Sequence, residues 1–123
     1  MKILVVDDEE VIRTLAESIL KKEHHEVLLA KSGEDGLKLL SETSGIELVL
    51  LDLNLPDISG PEVLKRMRAV SPSLPCIFST GQIFNRNYIP EELHPHTHFL
   101  QKPYRPGHLL KKIGEILELN NNR

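Results

Sequence analysis

Short apolar runs recur along this chain at residues 2–6 (KILVV), 27–30, 47–51, 74–79 and 97–101. They are too short for buried helices, and the most apolar of them lack the in–out alternation of a half-exposed strand. Between them lie stretches with helical period. Residues 9–23 place Ile12, Leu15, Ala16 and Ile19 on one face, and 33–42 turn Leu37 and Leu40 inward. Residues 61–70 group Val63, Leu64, Met67 and Val70, and the last stretch groups Leu109, Leu110, Ile113, Ile116 and Leu117. Strands that alternate with helices and are apolar on both faces call for a parallel sheet covered on both sides. With right-handed crossovers this is a doubly wound α/β domain of five parallel strands. In such sheets ligands bind beyond the carboxyl ends of the strands.

One stretch breaks the pattern. Residues 82–96 carry no sustained helical period. Pro90 is suited to begin a short helix, with Glu91 and Glu92 in its first turn, and His94-Pro95 ends it. A long loop with a stub of helix is expected there, so the fourth helix is short or irregular.

The chain has 123 residues, enough for one domain with a real core. Hydrophobic residues make up 40% and charged residues 27%, the balance of a folded globular protein. No apolar run approaches the ~20 residues of a membrane span. Lys2 and the pair Asp7-Asp8 stand where the apolar core of a signal peptide would lie. The lone Cys76 sits in an apolar run, where it reads as a packing residue in a reducing compartment. A cytoplasmic location is expected. The formal net charge of −3 gives no reason to expect nucleic-acid binding. Lys21-Lys22 and Lys111-Lys112 read as solvated helix faces, and Pro72 and Pro75 punctuate the approach to the fourth strand.

The strand ends carry the chemistry. Asp7 and Asp8 follow the first strand, Asp52 the third, Ser79, Thr80 and Gly81 the fourth, and Lys102 with Pro103 the fifth. On this topology they meet at one sheet edge. Three carboxylates together repel one another and destabilise the fold unless a cation sits among them. A small set of oxygen ligands suits Mg²⁺, and no soft sulfur set or spaced histidine pair suits zinc. A carboxylate, a hard cation, a lysine and a hydroxyl together describe phosphoryl chemistry, with the carboxylate as nucleophile. Singly, each residue has a plainer reading. A strand-end Asp is usually a turn or cap residue, and Asp7-Asp8 with Glu9-Glu10 would favour a helix N-terminus. Jointly, the matching strand ends outweigh those readings.

The motifs 3-ILVVDDEE-10, 49-VLLDLNLPDISG-60, 77-IFSTGQ-82 and 99-FLQKPY-104 resemble, in order and spacing, the receiver domain of two-component response regulators. The resemblance covers residues 2–119 as a receiver domain, with 120–123 as a tail, and implies a flavodoxin-like, chemotaxis-regulator-like fold. It implies that Asp52 is the phosphoacceptor and Asp8 a direct Mg²⁺ ligand beside it, with Asp7 acting through water. Asn54 matches the position whose backbone carbonyl completes the metal site. Lys102 would contact the phosphoryl group, and its bond to Pro103 is often cis in the family. Thr80 would move toward the phosphoryl group, and Phe99 matches the aromatic switch that turns inward in response. The implied donor is a phosphohistidine on a sensor histidine kinase or phosphotransfer protein, and the output is control of a partner.

The chain departs from the family in places. Ser59 stands where Asp is common, and Phe99 replaces the frequent Tyr. Residues 82–96 lack the usual helix and its small Gly-Ala pair, so docking known for that face is not carried over. Asn54 and Gln82 occupy positions that tune phosphoryl lifetime. The resemblance leaves no output domain within this stretch, which reads as a single-domain regulator or part of a longer protein. His94, His96 and His98 would point one way if extended. A metal or pH role then competes with plain loop histidines, and the plain reading is favoured. An enzyme rival is a Mg²⁺-dependent phosphatase of haloacid dehalogenase type, which usually has an acid where Asn54 stands. A flavodoxin-like cofactor module would want a glycine-rich first loop. A partner-binding pseudo-receiver would not need the full set of Asp8, Asp52, Thr80 and Lys102.

Overall fold

A computed structural model gives the fold and describes residues 1–82 and 86–121. Five parallel strands form one sheet: β1 (Lys2–Val6), β2 (Glu26–Ala30), β3 (Leu48–Asp52), β4 (Cys76–Thr80) and β5 (Thr97–Gln101). Their order is β2-β1-β3-β4-β5. The chain therefore winds outward from β1 in one direction and from β3 in the other. The crevice between the carboxyl ends of β1 and β3 is where such a sheet opens for ligands.

Among the described residues four α-helices cover the sheet: α1 (Glu10–Lys22), α2 (Gly33–Glu42), α3 (Gly60–Val70) and α4 (Pro106–Asn121). The two-residue period of the strands sorts the core into two layers. Leu4, Val6, Val49, Leu51, Cys76 and Phe78 face α2 and α3, where Leu40, Val63, Leu64 and Met67 meet them. Ile3, Val5, Leu48, Leu50 and Ile77 face α1 and α4, where Ile12, Ala16, Ile19, Leu109, Ile113 and Ile116 meet them. The lone thiol of Cys76 is fully buried in the first layer, the packing role its apolar surroundings implied.

Helix starts follow from local chemistry. Ser32 caps α2 by accepting from the Asp35 N–H at 3.1 Å. Ser59, the departure from the family's usual Asp, caps α3 by accepting from the Glu62 N–H at 3.3 Å, and Pro61 sits in its first turn.

Several boundaries differ from the sequence reading by one or two residues. β3 runs to Asp52 and β4 to Thr80, so both residues end strands instead of following them. The reason is pairing: Asp52 lies opposite Ser79, and the Leu53 N–H still donates to the Ser79 carbonyl at 2.9 Å. β4 starts at Cys76, not Leu74. The Leu74 N–H closes a turn on the Ser71 carbonyl, and Pro75 has no N–H to give.

The segment between β4 and β5 holds two single-turn 3₁₀ helices, Arg86–Tyr88 and Glu91–Leu93, among the described residues. Residues 83–85 of the expected loop lie outside the described residues. Ile89 and Leu93 are buried in the α2–α3 layer. The histidine stretch is not extended as the alternating reading required. His94 ends a 3₁₀ turn, with its Nε2 near the carbonyls of Arg86 (3.2 Å) and Ile89 (3.0 Å). His96 takes a left-handed φ of 59°, and only His98 lies on a strand.

Arg68, at the end of α3, holds this segment. Its Nε donates to the Leu74 carbonyl (3.1 Å) and Nη1 to the Leu93 carbonyl (3.0 Å). Its Nη2 donates to the His96 carbonyl (3.1 Å) and to Thr97 Oγ1 (3.0 Å). A planar guanidinium spreads five donors over a rigid fork that spans these separated acceptors, whereas an ammonium gathers three donors on one atom. Arg68→Ala is expected to destabilise the fold by about 2–3 kcal/mol, because charged donors are lost and half-buried carbonyls are stranded. Arg68→Lys should recover less than half of that. Urea unfolding measures both, and an unchanged midpoint in Arg68→Ala would refute the assignment.

Candidate functional site

β1 and β3 deliver the acids. Asp7 follows Val6 directly and is fully buried, with its N–H on the Ala30 carbonyl at 3.1 Å. Asp52 ends β3 and is 4% exposed. Asp8 is exposed at the rim. One carboxylate oxygen from each of Asp7, Asp8 and Asp52 falls within 4.8 Å of the others. Among the described residues this is the one group of acidic, histidine or cysteine side chains placed to share a cation; His94, His96 and His98 form none.

β5 delivers the positive charge. Lys102 follows Gln101, and its N–H donates to the Thr80 carbonyl at 2.8 Å. Its Nζ lies 2.7 Å from Asp7 Oδ2, 3.1 Å from Asp52 Oδ2 and 3.4 Å from Glu9 Oε1. The Lys102–Pro103 peptide is cis, as the resemblance implied. The other Asp52 oxygen, Oδ1, accepts from the Asn54 N–H at 3.0 Å. The exposed Asn54 thus meets the site through its backbone.

Gly60 is required by this arrangement. A Cβ there would stand 2.7 Å from the Asp52 carbonyl oxygen and 2.8 Å from Leu53 Cα. Only glycine lets α3 start this close to the strand end.

The electrostatics of the site are strained. Burial pushes the Asp52 carboxyl above its ordinary pKa, Asp7 adds to that, and the Asn54 N–H and Lys102 ammonium oppose it. For Lys102, burial works against the charge, yet its contacts with Asp7 and Asp52 outweigh burial and hold its pKa above the usual lysine value. The buried Tyr104 is also pushed up, chiefly by burial, with Asp7 and Asp52 adding to it and Ser79 and Lys102 opposing.

A cleft of about 550 Å³ opens over these groups, lined in part by Asp8, Asp52, Asn54, Gln82 and Lys102. Thr80 is 2% exposed, and its Oγ1 accepts from the N–H of the cleft-lining Gln82 at 3.1 Å. Phe99 is half-buried and stacks on Phe78 with ring centroids 5.9 Å apart and planes 19° from parallel. The structure therefore gathers Asp7, Asp8, Asp52, Asn54 and Lys102 at one point, ends β4 at the buried Thr80 whose carbonyl holds the Lys102 N–H, and puts Phe99 one strand across.

Two neighbours were not legible as part of the site. Glu9 read as a helix-start charge, but it reaches Lys102. Tyr104 had no separate signal beyond its place in 99-FLQKPY-104, and it is buried within the field of Asp7, Asp52 and Lys102. The donor set is all oxygen, anionic and open to the cleft on the Asp8 side. That fits a hard cation and offers nothing to a soft one.

The model of the response regulator receiver domain matches residues 3–114. The transcriptional regulatory protein YkoG of Bacillus subtilis is 34% identical over 98% of this chain and 53% of its own length. The response regulator SaeR of Staphylococcus epidermidis is 28% identical over 94% of this chain and 49% of its own. This chain thus spans about half the length of the curated relatives it matches. Among solved structures, a CheY-like receiver domain protein from Methanospirillum hungatei superimposes with a TM-score of 0.86. It is 31% identical, and the match covers 99% of this chain and 98% of that one. The receiver domain of the hybrid histidine kinase CckA gives a TM-score of 0.81 at 30% identity, over 95% of this chain and 99% of that one. Nothing in these matches favours the phosphatase or the cofactor-binding module over the signalling domain. With a matching family model, sheet order and relatives, the chain belongs to the receiver domains of two-component response regulators.

Proposed function

We propose that this receiver domain is a Mg²⁺-dependent phospho-switch whose phosphoacceptor is Asp52. The observation that carries the reading is the Lys102 ammonium between Asp7 and Asp52, at the floor of a cleft whose rim is Asp8. Asp8, Asp52 and the Asn54 backbone carbonyl would hold the ion, and Asp7 would act through a water. When bound, Mg²⁺ offsets charge on the oxygens of the transferring phosphoryl group.

The chain's own residues do the rest. A carboxylate oxygen of Asp52 attacks phosphorus, the P–N bond of a donor phosphohistidine breaks, and the imidazole leaves with the bonding pair. Lys102 trades its contact with Asp52 for one with a phosphoryl oxygen. Its raised pKa keeps it charged throughout the neutral range. The Thr80 hydroxyl, already an acceptor from Gln82, has its proton to give to the new anion. Phosphorylation adds about −1.5 to −2 charge at Asp52, and Thr80 moving toward it vacates room for Phe99. Throwing such a switch from mostly off to mostly on takes about 5.5 kcal/mol of bias.

The proposed donor is a sensor histidine kinase or phosphotransfer protein in the cytoplasm. The target is a downstream partner or output domain. The domain assists its own phosphorylation and dephosphorylation and turns over no separate substrate. No helix among the described residues is long and apolar enough to cross a membrane.

Incubation with acetyl phosphate and Mg²⁺, read by intact-protein mass, tests the reading. Wild type should gain one phosphoryl group, Asp52→Asn none, and Lys102→Ala should label about a hundredfold more slowly. Equal labelling of wild type and Asp52→Asn would sink the reading, as would many turnovers of a generic phosphate ester.

A second consequence concerns stability. The Asp52 pKa is raised above 3.8 in the fold, so the folded state prefers the protonated carboxyl. Stability from this group is full below the ordinary carboxylate pKa and is lost as pH rises through the raised value. At neutral pH without Mg²⁺, Asp52→Asn should therefore be more stable than wild type by about 1 kcal/mol. The gap should close as pH falls toward the ordinary carboxylate pKa. Urea titrations at several pH values measure it, and a less stable Asp52→Asn at pH 7 would contradict the assignment.

A further inference from the structure

The loop after β3 bears Asn54, yet most of its anchors are ordinary. The Leu53 N–H donates to the Ser79 carbonyl, and the Gly60 N–H donates back to the Leu53 carbonyl at 3.1 Å, closing the loop at its base. Leu55 is buried, and Ile58 packs on the α2–α3 layer. The tip, Pro56 and Asp57, is exposed.

Asp57 is nonetheless tied down. Its Oδ1 accepts from the Gly33 N–H and its Oδ2 from the Glu34 N–H, both at 3.0 Å. These are first-turn amides of α2 that Ser32 leaves unserved, since its hydroxyl takes the Asp35 N–H. Two parallel bonds to a carboxylate are charge-assisted and directional. The approach is close. A Cβ at Gly33 would stand 2.8 Å from Val63 Cγ2 and 3.4 Å from both Asp57 Oδ1 and Ile58 Cβ. Slight burial opposes the charge on Asp57, but backbone N–H groups outweigh it and hold the carboxyl below its usual pKa.

A second cap on a helix already capped by Ser32 is more than α2 needs for itself. The loop gains most, because its tip is exposed and the Asp57 carboxylate ties it to α2. We propose that Asp57 is a positioning residue for the metal site: by fixing the loop tip to α2, it sets where the Asn54 backbone stands relative to Asp52. The inference rests on the Mg²⁺ reading above and adds a residue to it. Asp57 touches neither the ion nor the phosphoryl group. It acts through the two intervening residues, Leu55 and Pro56, with the Asn54 N–H already on Asp52 Oδ1.

The test separates positioning from plain helix capping. Asp57→Ala, Asp57→Asn and Ser32→Ala are compared with wild type for Mg²⁺ binding by calorimetry and for amide exchange at Asn54 in metal-free protein. Ser32→Ala removes a cap from the same helix end without touching the loop. Asp57→Ala should weaken Mg²⁺ binding about tenfold, the scale seen when supports of metal ligands are removed. It should also speed exchange at Asn54. Asp57→Asn, which keeps one acceptor oxygen, should fall between, and it carries the test should Asp57→Ala not fold. Ser32→Ala should lose stability but keep wild-type Mg²⁺ affinity and Asn54 exchange. The proposal is overturned if Asp57 variants bind Mg²⁺ and protect Asn54 as wild type does, or if Ser32→Ala weakens both equally. Failure of wild type itself to bind Mg²⁺ would overturn the metal reading first and this inference with it.

Discussion

One ammonium group shared by carboxylates governs this structure. Lys102 lies within 3.4 Å of Asp7, Asp52 and Glu9, while Asp8 adds a further negative charge at the rim. The charges do not balance. Burial raises the pKa of Asp52 even with Lys102 beside it. A fold selected only for stability would not put Asp7 and Asp52 side by side at the end of a buried sheet. The imbalance makes sense as readiness. The site holds anionic oxygens where a hard cation can enter, and a lysine where a phosphoryl group would bring new charge.

The sheet order makes this meeting possible. β1 and β3 are neighbours, so Val6 pairs with Leu51, and Asp7 and Asp52 emerge next to each other. β4 and β5 extend the same edge, with Thr80 opposite Gln101 and Lys102 one residue on. Two apolar layers fix those strands, and Gly60 lets the next helix begin against the Asp52 backbone. The segment before β5 is the family's departure in this chain. Ile89 and Leu93 complete the layer there, and the Arg68 guanidinium joins Leu74, Leu93, His96 and Thr97 across it. Phe99 lies two residues beyond Thr97 on the same strand. The Arg68 contacts therefore bear on the strand that carries the proposed switch.

What was legible in the sequence were features written locally. An apolar run that stops at an acid, as in 48-LVLLD-52, states both the strand and its functional end. The same holds for Asp7-Asp8 after ILVV and for Lys102-Pro103 after the last strand. The lack of a full helix among the described residues before β5 was legible too, since prolines and histidines interrupt any period there. Boundaries at β3 and β4 shifted because pairing with a neighbour strand, not composition, decides where a strand ends. The favoured plain reading of the histidines agrees with the fold, and the extended alternative does not: a 3₁₀ turn at Glu91–Leu93 and a left-handed His96 break the alternation. Arg68, Asp57 and Glu9 were not legible as they stand. Their partners lie up to 93 residues away, and a charged residue on a helix or loop ordinarily reads as solvated surface.

The charge imbalance at Asp52 and Lys102 is tested most directly by unfolding the protein at increasing Mg²⁺ with ionic strength held constant. A cation that binds only the folded site adds about 1.4 kcal/mol of stability per tenfold excess over its dissociation constant. Wild type should follow that slope, and Asp8→Asn and Asp52→Asn should lose most of it. A wild-type stability that does not change with Mg²⁺, or an equal slope in all three proteins, would contradict the placement of a cation among Asp7, Asp8 and Asp52.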